Sequence, residues 1–142
     1  VDDVTAWEKT NGTIPVDAIV FFKTGWGKFY PDAEKYLGTK GKGDSAVANP
    51  HFPSISPELA TWIVKNRKIK AVGVDVASVD YGQSKDFKTH QILYEKNILG
   101  FENIANMDAL PVKGAYIIAL PMKIKGGTGG PLRVIAWIPK TN

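Results

Sequence analysis

Cysteine is missing from this 142-residue sequence, and histidine occurs only twice. The first absence excludes a disulfide framework, a thiol nucleophile and any zinc site built on thiolates, and it leaves the redox compartment open. No hydrophobic run approaches the roughly 20 residues of a membrane span, and no signal-peptide pattern stands at the start. A phosphate loop is excluded as well. The cluster Gly126-Gly127-Thr128-Gly129-Gly130 is not followed by Gly-Lys-Ser/Thr. A strand pattern comes after Pro131, so its amides lack the helix N-terminus that makes such loops anion sites. It reads as a permissive turn into the last strand. The net charge is +4 with a pI near 9.2, but the cations are scattered. Lys35, Lys40 and Lys42 lie in or near a Gly-rich loop, Lys65, Arg67, Lys68 and Lys70 close a helix, and Lys123 and Lys125 alternate in the tail. Cations in a last helical turn complement its dipole, and the aromatic-interleaved basic stripe of a nucleic-acid binder is not seen. Neither nucleic acid nor a membrane is an expected partner.

What is present is an alternation of strand and helix signals. Residues 18–23 form an apolar run between Pro15 and Gly25, read as a buried strand, and 38–49 is a glycine-rich loop. Ser56 is a good N-cap and Pro57 suits the first helical position, with Leu59, Trp62 and Ile63 at helical spacing until the basic turn. Residues 69–76 read as a second buried strand. Asp86 is the expected cap of a second helix ending at Asn97, and 101–105, 116–120 and 132–138 are the remaining strands. Strands separated by two helices of about ten residues imply a mixed α/β layer structure. At 142 residues one domain spanning 1–142 is expected, burying roughly 70% of its unfolded surface.

The chemistry concentrates in 86–111. His90 stands twelve positions before Glu102, with Asn103 and Asn106 close behind. An imidazole and a carboxylate are donors that Zn²⁺ or Mn²⁺ accepts, but two protein ligands are half of a site. The plain alternative is a structural histidine and a strand-end carboxylate. With His90 on the first turns of a helix and Glu102 on the strand that follows, the two can converge across the corner between them. Residues 75–84 leave a strand end and carry Ser78, Asp80 and Ser84, in the place where open α/β sheets keep their binding groups. An Asp, Ser or carbonyl from this segment can take the second ring N–H of a ligand histidine. Turn-building Asp, Gly and Ser are the competing account.

Five blocks, in order, resemble the second half of the cyclase-like metal-dependent hydrolases, the family of bacterial-type kynurenine formamidase and isatin hydrolase. They are Val20-Phe21-Phe22-Lys23-Thr24-Gly25-Trp26; Ile55-Ser56-Pro57-Glu58 running to Trp62; Ala71-Val72-Gly73-Val74-Asp75 with Ser78, Asp80 and Gly82; the stretch 90–111; and Leu120-Pro121-Met122-Lys123-Ile124-Lys125-Gly126-Gly127-Thr128-Gly129. The resemblance implies a swivelling β/β/α fold, of which this chain is the C-terminal half. It implies metal-ligand roles for His90 and Glu102 with Zn²⁺ or Mn²⁺ as cofactor, and a place for Trp26 in the substrate pocket. The implied reaction is metal-assisted hydrolysis of a small cyclic or N-acyl amide, isatin or formylkynurenine in type, the ion activating water and polarising the carbonyl.

One departure is large. The family's H-x-G-T-H-x-D-x-P-x-H run, source of its other ligands and its catalytic histidine, is not in this sequence, and the second histidine, His51, lies in the loop Asn49-Pro50-His51-Phe52-Pro53. With Val1 where an initiator Met would stand, the expectation is a processed chain or a portion of a longer one. It would be completed by an N-terminal partner chain or by homo-oligomerisation and be inactive alone. A non-catalytic cyclase-like binding or structural protein is the alternative, and a basic domain recruiting acidic partners is a third. Asn11-Gly12-Thr13 is a formal glycosylation acceptor. It tilts the compartment toward secretion if used; otherwise cytoplasmic and secreted settings stay open.

Overall fold

The computed structural model describes residues 1–43 and 49–140, and the chain divides into two compact units, Val1–Ala105 and Asn106–Asn142. Part of the loop expected at 38–49, residues 44–48, lies outside the described residues. In the first unit the order is α1 (Asp2–Asn11), β1 (Ile19–Phe22), a 3₁₀ turn (Trp26–Phe29), α2 (Ala33–Leu37), α3 (Pro57–Asn66), β2 (Ala71–Val74), α4 (Lys88–Tyr94) and β3 (Leu99–Phe101). The three strands form a parallel sheet in the order β1-β2-β3, with Ile19 opposite Ala71 and Ala71 opposite Leu99. Parallel neighbours need crossovers, which α2, α3 and α4 occupy.

Every residue of β2 is buried, as expected of a central strand covered on both faces. Gly73 is required there: a Cβ would come within 2.5 Å of the Phe21 side chain and 2.6 Å of Ile104. The core joins Val72, Val74 and Val76 to Ile55, Ala60 and Ile63 from the α3 side and Leu93 from α4, and α3 packs on α4.

Helix α3 follows its sequence signals. Ser56 accepts the Leu59 N–H at 3.2 Å, Pro57 opens the helix, and Ala60 and Ile63 face inward. Arg67, read from sequence as a dipole-complementing cation, has a further task. Its Nε donates to Glu8 Oε1 at 2.7 Å, its Nη2 reaches the other carboxylate oxygen, and its guanidinium lies 4.5 Å over the Trp62 ring. This pair ties α1 to the end of α3.

Two boundaries differ from expectation. The cap of α4 is not Asp86: Phe87 holds the N-cap position in a left-handed conformation with no side-chain bond of its own. The first-turn amides of Thr89 and His90 donate instead to the carboxylate of Asp80. Strand β3 begins at Leu99 and ends at Phe101, because Asn103 adopts φ +55° and turns the chain over the end of β2. Its N–H then meets Val76 O at 2.8 Å, and the Ile104 N–H meets Val74 O at 3.0 Å. Glu102 is left at the corner.

The second unit contains a 3₁₀ turn (Met107–Ala109) and the antiparallel ribbon β4 (Tyr116–Ala119) with β5 (Val134–Trp137), Tyr116 opposite Trp137 and Ile118 opposite Ile135. Both strands lie inside the ranges read from sequence, and Gly126 supplies a left-handed residue between them. Among the described residues no helix is long and apolar enough to cross a membrane.

Candidate metal centre

The segment leaving β2 builds two carboxylate anchors. The first is Asp75, buried at the strand end. Its Oδ1 accepts the Thr24 N–H at 2.8 Å and the Thr24 hydroxyl at 2.7 Å, and its Oδ2 accepts the amides of Gly25 at 2.9 Å and Gly27 at 3.3 Å. Burial pushes this carboxyl up, but the bonds from Thr24 and Gly27 outweigh it and hold the group below its ordinary value. Gly25, at φ +77°, is what lets three amides aim at one carboxylate. This anchor fixes the Thr24-Gly25-Trp26 turn that the sequence comparison of blocks singles out.

The second anchor is Asp80, 2% exposed. Its Oδ1 accepts the Thr89 N–H at 2.9 Å and the Ser84 hydroxyl at 3.3 Å; its Oδ2 accepts the His90 N–H at 3.2 Å and contacts His90 Nδ1. Burial again raises the carboxyl, and the His90 ring with the Thr89 and His90 amides more than reverses it, so the group is held below the usual carboxylate range. Asp80 is an anion directly behind the imidazole.

The opposite ring nitrogen of His90, Nε2, lies 3.3 Å from Glu102 Oε1, and that oxygen also accepts the Val79 N–H at 3.0 Å. The helix start and the corner after β3 therefore bring His90 and Glu102 together. Their side chains are 25% and 31% exposed, so the pair opens to one side. Phe87 and Tyr94 meet the imidazole edge-on at centroid distances of 6.0 and 5.1 Å. The Tyr94 hydroxyl is raised by burial and then by the charges of Glu102 and Asp80, so it stays a protonated phenol beside the site.

Of the other residues expected here, Ser84 braces Asp80, and Ser78 serves the loop itself: its hydroxyl accepts the Asp80 N–H at 3.1 Å and its carbonyl accepts the Ser54 hydroxyl at 2.6 Å. Trp26 donates its indole N–H to Tyr36 O at 3.0 Å and lines a groove of about 350 Å³ with Pro50, Phe52, Pro53 and Tyr81. His51 borders that groove. Phe87 and Tyr94 were not anticipated, although their i−3 and i+4 spacing from His90 is the pattern that puts side chains on one helical face. Nothing in the spacing announces the Val79 amide or the Asp75 clamp.

The donor chemistry fits a divalent cation in part. With Asp80 occupying Nδ1, the nitrogen left to bind an ion is Nε2, and a carboxylate oxygen stands beside it, a pairing suited to Zn²⁺ or Mn²⁺. Among the described residues no group of three or more His, Cys, Asp or Glu side chains converges to hold a metal. The described residues bring two such donors, His90 and Glu102, together.

The family model described as "Putative cyclase" matches residues 1–81. The isatin hydrolase of Roseibium aggregatum is 34% identical over 98% of this chain and 52% of its own length, and a kynurenine formamidase of Bacillus anthracis is 32% identical over 59% of this chain and 41% of its own. Among solved structures, isatin hydrolase A from Ralstonia solanacearum aligns over 98% of this chain and 52% of its own with a TM-score of 0.86 at 35% identity. The chain thus spans about half the length of these relatives. With more than half of its residues matched by the family model, and with its fold shared with isatin hydrolase, the chain belongs to the cyclase family.

Proposed function

We propose that the chain is the C-terminal portion of a metal-dependent amidohydrolase acting on small cyclic or N-acyl amides of the isatin or formylkynurenine type. His90 and Glu102 are its contribution to a Zn²⁺ or Mn²⁺ site. The observation that carries this is the convergence of His90 Nε2 and Glu102 Oε1 at 3.3 Å, at the corner where a helix start meets a strand end, in a chain 34% identical to an isatin hydrolase. A bound divalent ion would supply Lewis acidity toward a carbonyl and toward water.

The chain's own residues do the rest that can be assigned to it. Asp80 holds the imidazole from behind, Val79 fixes one oxygen of Glu102, and the Tyr94 ring borders the imidazole edge-on. Two protein donors do not retain such an ion firmly. The remaining ligands and the proton-shuttling histidine come, in this proposal, from a complementary segment of the protein or a second copy.

The test is hydrolysis of isatin and of N-formylkynurenine with added Mn²⁺ or Zn²⁺. It compares the chain alone with the chain joined to the complementary segment that carries the histidine-aspartate run. Turnover should require both parts and be abolished by His90→Ala. Activity of the chain alone that survives His90→Ala would overturn the assignment of the site. An assembled protein that neither hydrolyses amides nor retains metal would mark a non-catalytic cyclase-like binding protein.

A further inference from the structure

We propose that Asp80 fixes the His90 imidazole as its Nδ1–H tautomer, so that Nε2 keeps its lone pair beside the Glu102 carboxylate, ready for a divalent cation. The cation half of this rests on the reading of His90 and Glu102 as ligands; the tautomer half does not.

Two carboxylates compete for the one proton of a neutral ring, Asp80 at Nδ1 and Glu102 at Nε2. Several observations give it to Asp80. Asp80 is the closer partner and is nearly fully buried, whereas the Glu102 side chain is 31% exposed and its facing oxygen already accepts the Val79 N–H. A buried ionised carboxylate only accepts, and leaving it opposite a bare nitrogen costs more than leaving the exposed one so. The Thr89 and His90 amides and the Ser84 hydroxyl all donate to Asp80, which marks it as an ionised acceptor awaiting a donor from the ring. Backbone and ring of His90 share one acceptor oxygen, so the carboxylate registers the helix turn and the imidazole together. Phe87 and Tyr94 border the ring. The nitrogen facing Glu102 is then the unprotonated one, the form a metal needs.

Asp80 also caps α4, so loss of the residue confounds orientation with folding. Asp80→Asn separates them. Oδ1 accepts the Thr89 N–H and the Ser84 hydroxyl and Oδ2 accepts the His90 N–H, so the amide oxygen can keep one side only. Where it keeps Thr89 and Ser84, the amide NH₂ takes the place of the oxygen facing Nδ1, at the loss of the His90 N–H bond. It donates there and drives the ring proton to Nε2. An Asp-to-Asn exchange in a Ser-His-Asp triad has this consequence, with geometry kept and the tautomer wrong.

The experiment reads the ring nitrogens of the metal-free protein directly by two-bond ¹H–¹⁵N spectroscopy at alkaline pH, with His51 as the one other histidine and an internal control. The native protein should show His90 protonated at Nδ1 and bare at Nε2, and Asp80→Asn the reverse. Titration with Co²⁺, followed by its visible absorption, should weaken about 10- to 100-fold in Asp80→Asn. A native Nε2–H ring overturns the proposal even if the variant fails to fold. A variant whose ring inverts while a His90-dependent Co²⁺ affinity stays the same overturns the cation half. If the ring inverts but Co²⁺ binding is indifferent to His90→Ala, the cation half falls with the ligand reading and the tautomer half stands.

Discussion

Asp75 and Asp80 leave the same strand five residues apart, and their different partners give them different tasks. Asp75 gathers the Thr24–Gly27 turn against the sheet, and Asp80 gathers the start of α4. Asp75→Asn keeps the volume but turns one acceptor oxygen into a donor facing amide N–H groups. We expect a loss of about 2–3 kcal/mol, seen as a lower urea midpoint at unchanged slope. The pH dependence follows from the same bonds. Because the folded carboxyl of Asp75 is held below its ordinary value, its stabilisation is fully present above the unfolded carboxylate value of about 4 and is lost as pH falls through the lower folded value. Stability measured from pH 5 downward should therefore fall less steeply in Asp75→Asn than in the native chain. An unchanged acid limb would show that the four bonds to Asp75 do not set its protonation.

At the scale of elements, α1 is the most dependent piece. Ten residues of helix are marginal in water, and only Val4 is buried from it. Its hold on the rest of the unit includes Glu8, which takes both the Arg67 guanidinium and the Ile14 N–H at 2.8 Å. Glu8→Gln should cost about 1–2 kcal/mol, and its mark should be local. Hydrogen exchange should quicken in Asp2–Asn11 while β2 amides keep their protection; equal loss in both would mean that the helix and the sheet unfold as one. Gly73→Ala acts on the other side of the unit. With Phe21 and Ile104 at 2.5 and 2.6 Å from the new methyl, overpacking should cost about 1–3 kcal/mol.

These elements also show where sequence reasoning reaches. The start of α3 was legible because Ser56, Pro57 and the apolar residues that follow encode it within one turn. Strand β2 was legible because a central strand is a continuous apolar run. The cap of α4 was not, since Asp80 reaches it from beyond a loop and no local pattern marks it; Asp86 was the better local candidate. Helix α1 carries almost no periodic signal, with one buried residue in ten. Residue chemistry singles out His90 and Glu102 as a pair, and the family resemblance adds the ligand roles expected of them. The convergence of their side chains depends on the left-handed Asn103 corner, which spacing alone does not specify.

For the whole molecule the question is what covers the surfaces this chain leaves open. In the sheet β1-β2-β3 the outer strands each have one paired edge among the described residues, and an unpaired edge is a template for another chain. In the second unit, one face of the β4-β5 ribbon presents Tyr116, Ile118, Ile135 and Trp137, each about half or more exposed. A two-stranded ribbon is marginal unless a further strand or a packed layer supports it, and four large apolar side chains on one face are surface that burial against another layer would stabilise. The relatives are about twice as long, and the complementary segment proposed above would do the covering. The expectation is that residues 1–142 alone associate with themselves at micromolar concentration, and that adding the complementary segment replaces this by a defined assembly. Native mass spectrometry with sedimentation velocity reads both states, and Ile118→Lys with Ile135→Lys, charging that face without touching His90 or Glu102, should abolish self-association. A stable monomer of 15.5 kDa at those concentrations would mean that the ribbon face and the sheet edges tolerate water without a partner.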